Sequence, residues 1–367
     1  MATTKVTTDV IDMSGNTGGL VWAKGATGDQ PAVVDSTAGD LRENTTTFKT
    51  EVFNGTAWRN LKEAPPAPIT VDFLVVAGGG AGIFGGGGGG GLRSTTTYGG
   101  AEAALSVTPG VATPIVVGPG GTAPGTAAAP LVAQQGVNST FSTITSVGGG
   151  SGGYNSLSPS TMNGGSGGGG GGATTGSNFA GGEGFNIANG DANNQGFDGG
   201  IGRLTSTGGA GFSDGPGGGG GATTLGQNGS KDGTHEIGGN GGTGKSINIT
   251  GLSVGYSGGG GGSTFVGILA GGTSSDGGGS GGNSSSGNPT GNDGSPNKGG
   301  GGGGGVAGKN GGSGIVILRC TKATATISAG ITVNGINAAG SVSGDTTNMP
   351  SGEYFYSATL GTGTITF

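Results

Sequence analysis

One stretch carries a nominal chemical motif. Gly239-Asn-Gly-Gly-Thr-Gly244-Lys245-Ser246 fits the G-x-x-x-x-G-K-[ST] pattern, in which backbone N–H groups cradle a phosphate and the lysine reaches its charge. That chemistry needs a buried strand before the loop and a helix after it. Here Thr234-His-Glu-Ile237 precedes, and Ser246-Ile-Asn-Ile-Thr-Gly251, strand- or turn-like, follows. With 101 glycines in 367 residues a chance match is expected, and no nucleotide is predicted. His235 is the single histidine, flanked by Asp232 and Glu236. Zinc needs several nitrogen or sulfur ligands, and Cys320 is far away in sequence. The simplest reading of His235 is a solvated loop residue, although a Ser–His–Asp arrangement stays open. The loop carboxylates, among them Glu183, Asp198, Asp276 and Asp293, are scattered, whereas a glycosidase pairs two across a cleft. Asp and Asn also favour turns, which accounts for them without catalysis. No repeat spacing points to calcium. The expectation is therefore a non-enzyme with no cofactor and no metal.

What remains is aromatic. Between the glycine runs lie Tyr154, Phe179, Phe185, Phe197, Phe212 and Tyr256, with Leu157 and Phe265. They read either as plugs capping the ends of glycine strands or as platforms that stack on sugar rings. Phe179, Phe185 and Phe197 share the longest loop and are the best exposed candidates. As a set, the six aromatics are the candidate receptor-contact residues.

Glycine must position these residues. Gly85 to Gly91, Gly167 to Gly172, Gly217 to Gly221, Gly258 to Gly262 and Gly299 to Gly305 are unbroken. Such runs are either flexible linkers or packed strands of polyglycine-II type, three-fold and without internal hydrogen bonds. Side-chain-free backbones can approach closely, and bonds between neighbouring strands then replace an oily core. A solvated linker has no use for the large apolar groups between the runs, so the packed bundle is expected. Two β-like stretches bracket it, Val71 to Val76 and Ile315 to Leu318, which implies one closed domain whose ends pair.

Composition limits the rest. Only 30% of residues are hydrophobic and 9% charged, with a formal net charge of −6. No basic stripe exists for a polyanion, so nucleic acid is not an expected partner. No apolar run approaches the roughly 20 residues of a bilayer span, and the N-terminus shows no apolar leader. Cys320 alone allows no internal disulfide. The expectation is a protein made in a cytoplasm, with no membrane insertion.

Along the chain, residues 1–63 form a charged first module holding both tryptophans, Trp22 and Trp58. Leu20 to Trp22 reads as a strand. Asp40 to Asn44, Thr50 to Phe53 and Ala57 to Leu61 read as a β-meander, with Asn54-Gly55 as a two-residue hairpin turn. Leu41, Val52, Phe53, Trp58 and Leu61 supply one small apolar face, marginal alone. Residues 64–69 are a proline-rich spacer. Residues 70–320 are the glycine domain, with further β-like runs at Ala101 to Thr108, Pro114 to Gly118 and Thr140 to Val147. Residues 321–367 are a C-terminal β segment, either a small domain or a layer added to the bundle. The fold class is all-β and irregular, with essentially no helix.

The stretch Phe73-Leu-Val-Val-Ala-Gly-Gly-Gly-Ala-Gly82 resembles the entry to the glycine-rich domain of bacteriophage tail-fibre and adhesin proteins. So do Gly91-Leu-Arg93, Ser106-Val-Thr-Pro-Gly110, Ile115-Val-Val-Gly-Pro-Gly-Gly121, Phe141 to Gly150, and the exit Gly312-Ser-Gly-Ile-Val-Ile-Leu-Arg319. Leu41-Arg-Glu-Asn-Thr45 and Phe53-Asn-Gly-Thr-Ala-Trp58-Arg-Asn-Leu61 are similar to the N-terminal module of structural proteins from marine tailed phages. The resemblance implies a sandwich of polyglycine-II helices whose loops bind a host-surface glycan, on a protein located in the virion. It also implies a first module that attaches to other virion proteins through Trp22, Phe53 and Trp58 and forms a homotrimer. A purely structural role, as capsid decoration, head fibre or tail connector, is the alternative. This chain departs from many members by continuing past Arg319.

Overall fold

The structure, a computed structural model, describes all residues outside 1–22, 33–34, 62–65, 99, 126–132, 155–158, 173–177, 187–192, 204–214, 233–234, 265–269 and 284–289. Two compact units divide the chain, Met1–Pro66 and Ala67–Phe367.

In the first unit, β1 (Ala23–Gly25) runs parallel to β2 (Leu41–Asn44), and β3 (Lys49–Phe53) and β4 (Trp58–Asn60) follow as antiparallel neighbours. The expected strand at Leu20 to Trp22 lies outside the described residues. Phe53 pairs with Trp58, so the hairpin loop holds four residues and not two. Asn54 is the reason. Its Oδ1 accepts from the N–H groups of Thr56 and Ala57 at 3.0 and 2.9 Å, a turn built by the side chain.

The buried face also differs from expectation. Leu41 and Leu61 are 37% and 51% exposed, while Arg42, Asn44, Glu51 and Phe53 are buried. Register explains this: Leu41 pairs with Val52 and Arg42 with Glu51, so one set must face outward when the other faces in. The inward polar groups are held in part by hydrogen bonds to one another and to backbone. Arg42 Nη2 donates to Gly25 O and Ala26 O at 2.6 and 2.8 Å, and Asn44 donates to Glu51 Oε1 at 2.8 Å.

The second unit is built on one sheet. Its strands are β5 (Ile69–Val76), β6 (Leu92–Ser94), β7 (Leu105–Val107), β8 (Thr113–Val117), β9 (Ser139–Phe141), β10 (Ile144–Ser146), β15 (Ile315–Cys320), β16 (Thr324–Ile327), β17 (Ile331–Val333), β18 (Gly340–Ser343) and β19 (Tyr354–Thr366). Two separate hairpins, β11 (Ser230–Asp232) with β12 (His235–Ile237) and β13 (Lys245–Ile247) with β14 (Val254–Tyr256), lie along the glycine region. Among the described residues the α-helical content is one turn, α1 (Pro159–Met162).

The main path runs β10-β9-β8-β19-β15-β5-β6. Ser146 Oγ donates to Val75 O at 2.8 Å and Arg93 to Thr145 O at 3.3 Å, which draws the edges β10 and β6 together. The bracketing stretches pair, Ile315 with Val76 through Arg319 with Asp72. The C-terminal segment is not a layer on the outside. β19 sits between β15 and β8, so residues 321–367 complete the sheet from its middle. Phe73, Val75, Ile115, Phe141, Leu318 and Tyr356 fill the interior. On the opposite face Leu74, Val76 and Ile317 pack with Ile247, Ile249 and Tyr256.

Strands leave this sheet directly into glycine. From β5 the chain continues through Ala77 to Ile83, turns, and returns as Gly85 to Gly91 into β6. Along the returning strand Gly85, Gly88 and Gly91 donate to Gly153, Gly150 and Val147. Gly86 and Gly89 donate to Gly217 and Gly220, and Gly87 and Gly90 to Gly302 and Gly299. All seven bonds are between 2.7 and 3.1 Å. Successive residues address three different neighbours, and the pattern recurs at every third residue, as a three-fold helix requires. Three further strands donate inward: Gly80 and Ala77 to Gly88 O and Gly91 O, Gly169 and Ser166 to Gly86 O and Gly89 O, and Gly260 to Gly87 O. Gly85 to Gly91 is thus encircled by six chain segments.

Close approach demands glycine here. A Cβ built on Gly87 would lie 2.1 Å from Gly80 O, and one on Gly86 would lie 1.9 Å from Gly260 O. At the perimeter, side chains stand in for missing neighbours. Asn138, Gln195, Asn240, Asp276 and Asn310 accept backbone N–H groups of Gly148, Val147, Thr273, Gly244 and Ala123 at 2.7 to 2.9 Å. Ala81, Ile83, Phe84 and Ala133 form an apolar cluster around the turn that ends the outgoing strand.

Candidate functional site

The phosphate-loop pattern has no phosphate site. Gly239, Gly241 and Gly242 donate their N–H groups to Pro216 O, Thr273 O and Gly219 O, and Gly244 donates to Asp276 Oδ2. Lys245 and Ser246 lie on β13, a strand where a phosphate-binding helix would have to begin. His235 lies half-buried on β12, and no group of three or more metal-capable side chains exists among the described residues. Asp198, Asp276 and Asp293 are engaged in accepting backbone N–H groups of Gly184, Gly244 and Asn310 at 2.8 to 2.9 Å.

The aromatics divide. Tyr256 is 5% exposed and belongs to the cluster under the sheet, which removes it from any contact surface. Burial pushes its phenol from 10.0 up to about 12. Tyr154 is half-buried with its ring centroid 4.8 Å from that of Phe84, a plug of the turn cluster. Phe53, expected to attach the first unit to a partner, is buried at 1% and is a core residue of that unit. Trp58 is half-buried, 5.6 Å from the Phe53 ring centroid. Phe212 and Trp22 lie outside the described residues, as do Leu157 and Phe265.

Phe179, Phe185 and Phe197 stand on one flank of the bundle. Phe179 exchanges two backbone bonds with Gly202, both at 2.9 Å, and is half-buried. Gly196 N donates to Phe185 O at 3.2 Å, and Gly226 N to Asp198 O at 2.9 Å, so Phe185, Phe197 and Leu225 fall at one level on three adjacent outer segments. Phe185 is 42% and Leu225 56% exposed, and Ile201, on the middle segment, is 37% exposed. Asn186 donates to Asp198 Oδ1 at 3.0 Å beside them. Exposed apolar faces of this kind can stack on a sugar ring. Ile201 and Leu225 were not singled out from sequence. Each is a lone aliphatic in a polar, glycine-rich stretch, where no core position would explain it.

The fold is an all-β sheet continued by glycine strands packed backbone to backbone. The chain belongs to the glycine-rich domain family, whose model matches residues 52–321. No curated protein and no solved structure matches it. Among the described residues no helix is long and apolar enough to cross a membrane.

Proposed function

We propose that this chain is a structural protein of a bacteriophage particle, a tail-fibre or adhesin component that presents its flank to a host-surface glycan. Its first unit joins it to other virion proteins, as a homotrimer. The observation that carries the reading is the exposed set of Phe185, Ile201 and Leu225, with half-buried Phe197 between them, on a bundle held by backbone bonds. A surface aromatic kept in water gains nothing for the fold, whereas a rigid platform loses little entropy when a ligand stacks on it.

The test is a panel of bacterial surface polysaccharides presented to the full chain and to its Phe185→Ser and Phe185→Trp variants. At least one polysaccharide is expected to bind, with Trp retaining it and Ser weakening it roughly tenfold. Undiminished binding by the Ser variant, or no binding by the parent, overturns the glycan reading. Copies per particle, counted in electron images, decide location: a few at a fibre tip support the adhesin, and a number that scales with capsomers supports capsid decoration instead.

A further inference from the structure

The first unit contains a cleft that the aromatic flank of the second unit does not involve. It has a volume of about 250 Å³ and is walled by Trp58, Pro31 and Leu41 on its apolar side and by Lys24, Asp29, Asp35, Asp40 and Arg42 on its polar side. That is room for one small ring rather than for a peptide or a nucleotide.

The polar lining is underused by the fold. Asp29 Oδ2 accepts from Ala26 N at 2.9 Å and Asp40 Oδ2 from Thr37 N at 2.6 Å, which leaves the Oδ1 of each without a hydrogen bond among the described residues. Asp35 makes no side-chain hydrogen bond there at all. Arg42 is 2% exposed, yet its Nη1 is buried with no partner. An orphaned guanidinium N–H is costly to keep unless something bonds it. Nη2 holds Gly25 O and Ala26 O, while Nε, 3.4 Å from Glu51, is likewise buried without a hydrogen-bond partner. Its Cζ lies 5.8 Å from the Trp58 ring centroid, which fixes both groups.

Charge decides the class of ligand. Lys24 is already paired with Glu43 at 2.8 Å, so a cation would be drawn to three carboxylates but meet Arg42, and an anion would meet the reverse. A neutral ring bearing hydroxyls satisfies both signs. Its O–H groups donate to the free carboxylate oxygens, its oxygens accept from Arg42, and its C–H face rests on Trp58, Pro31 and Leu41. We infer that this cleft of the first unit is a binding site for a single neutral saccharide ring, separate from the aromatic flank of the glycine bundle.

The full chain is titrated by saturation-transfer NMR with D-glucose, D-galactose, D-mannose and N-acetyl-D-glucosamine, and with sodium acetate and lysine methyl ester as charged probes. At least one sugar should bind, with an affinity on the order of millimolar as befits so few contacts. Asp35→Ala removes a carboxylate that makes no side-chain hydrogen bond among the described residues, and should weaken that sugar roughly tenfold at an unchanged unfolding midpoint. Phe185→Ser should leave it unaltered, which separates this site from the flank. The inference is overturned by silence from all four sugars, by a stronger response to acetate or the lysine ester, or by sugar binding that Asp35→Ala leaves intact.

Discussion

Replacing Gly87 by alanine tests the bundle at its centre. The new Cβ would sit 2.1 Å from Gly80 O and 2.7 Å from the Gly80 carbonyl carbon, where ordinary contact begins about an ångström further out. Neither side can yield cheaply, because both are backbone. Gly80 O accepts from Gly302 N at 2.9 Å, Gly87 N donates to Gly302 O at 2.8 Å, and Gly260 N donates to Gly87 O at 2.9 Å. Moving the strands apart strains or breaks these three bonds at about 1 kcal/mol each. Overpacking an interior adds about 1–3 kcal/mol. Gly87→Ala should therefore destabilise the second unit by about 5 kcal/mol, a large part of the roughly 5–15 kcal/mol a domain commonly has. Urea unfolding followed by tyrosine near-ultraviolet dichroism measures this, since the chain's two tryptophans, at positions 22 and 58, both lie in the first unit. Amide exchange at residues 85–91 gives an independent readout. A loss below about 1 kcal/mol for Gly87→Ala would mean that these strands are not in backbone contact, and the display scaffold would fall with that result.

Other outcomes follow from individual contacts. Asn240→Ala removes the acceptor of Thr273 N at 2.7 Å and a bond to Gln227 at 3.0 Å, and should cost about 1–2 kcal/mol in the same urea experiment. Tyr256 is raised to about 12 in the folded state from 10.0, so the stability its neutral form contributes is complete below pH 10 and lost as pH climbs through 12. Alkaline unfolding should accordingly steepen across that window, and Tyr256→Phe should flatten it. Tyr356 is shifted upward by burial as well and donates its hydroxyl to Lys322 O at 2.7 Å, so it adds to the same limb. Phe185→Ser, exposed and outside every apolar cluster, should leave the unfolding midpoint within about 0.5 kcal/mol of the parent.

Much of the architecture is legible in residue order because glycine itself is the signal. Unbroken runs such as Gly85 to Gly91 have no side chain to occupy a core, so close backbone packing is the one ordered state open to them. The apolar stretches at Val71 to Val76 and Ile315 to Leu318 announce their pairing for the same kind of reason, since each is too hydrophobic to stand alone. Among the described residues long helices are absent, as the composition leads one to expect. Where side chains decide the outcome locally, as at Asn54, a rule based on the dipeptide gave the wrong loop length, because the asparagine carbonyl bonds two residues ahead and beyond.

Tertiary structure decided the rest. A glycine run has no pattern to say which strand lies beside it, and Gly87 reaches Gly302 and Gly260 across long stretches of chain. Those partners are chosen by backbone bonds that close only when the whole bundle is assembled. The same holds for the aromatics: Tyr256 is covered because β13 and β14 pack against the sheet, while Phe185 is left 42% exposed. In the first unit, one register choice put Arg42 and Glu51 inside and Leu41 out. Sequence named the materials and the local geometry. Which faces would be covered depended on contacts between distant segments, and no periodicity along the chain records them.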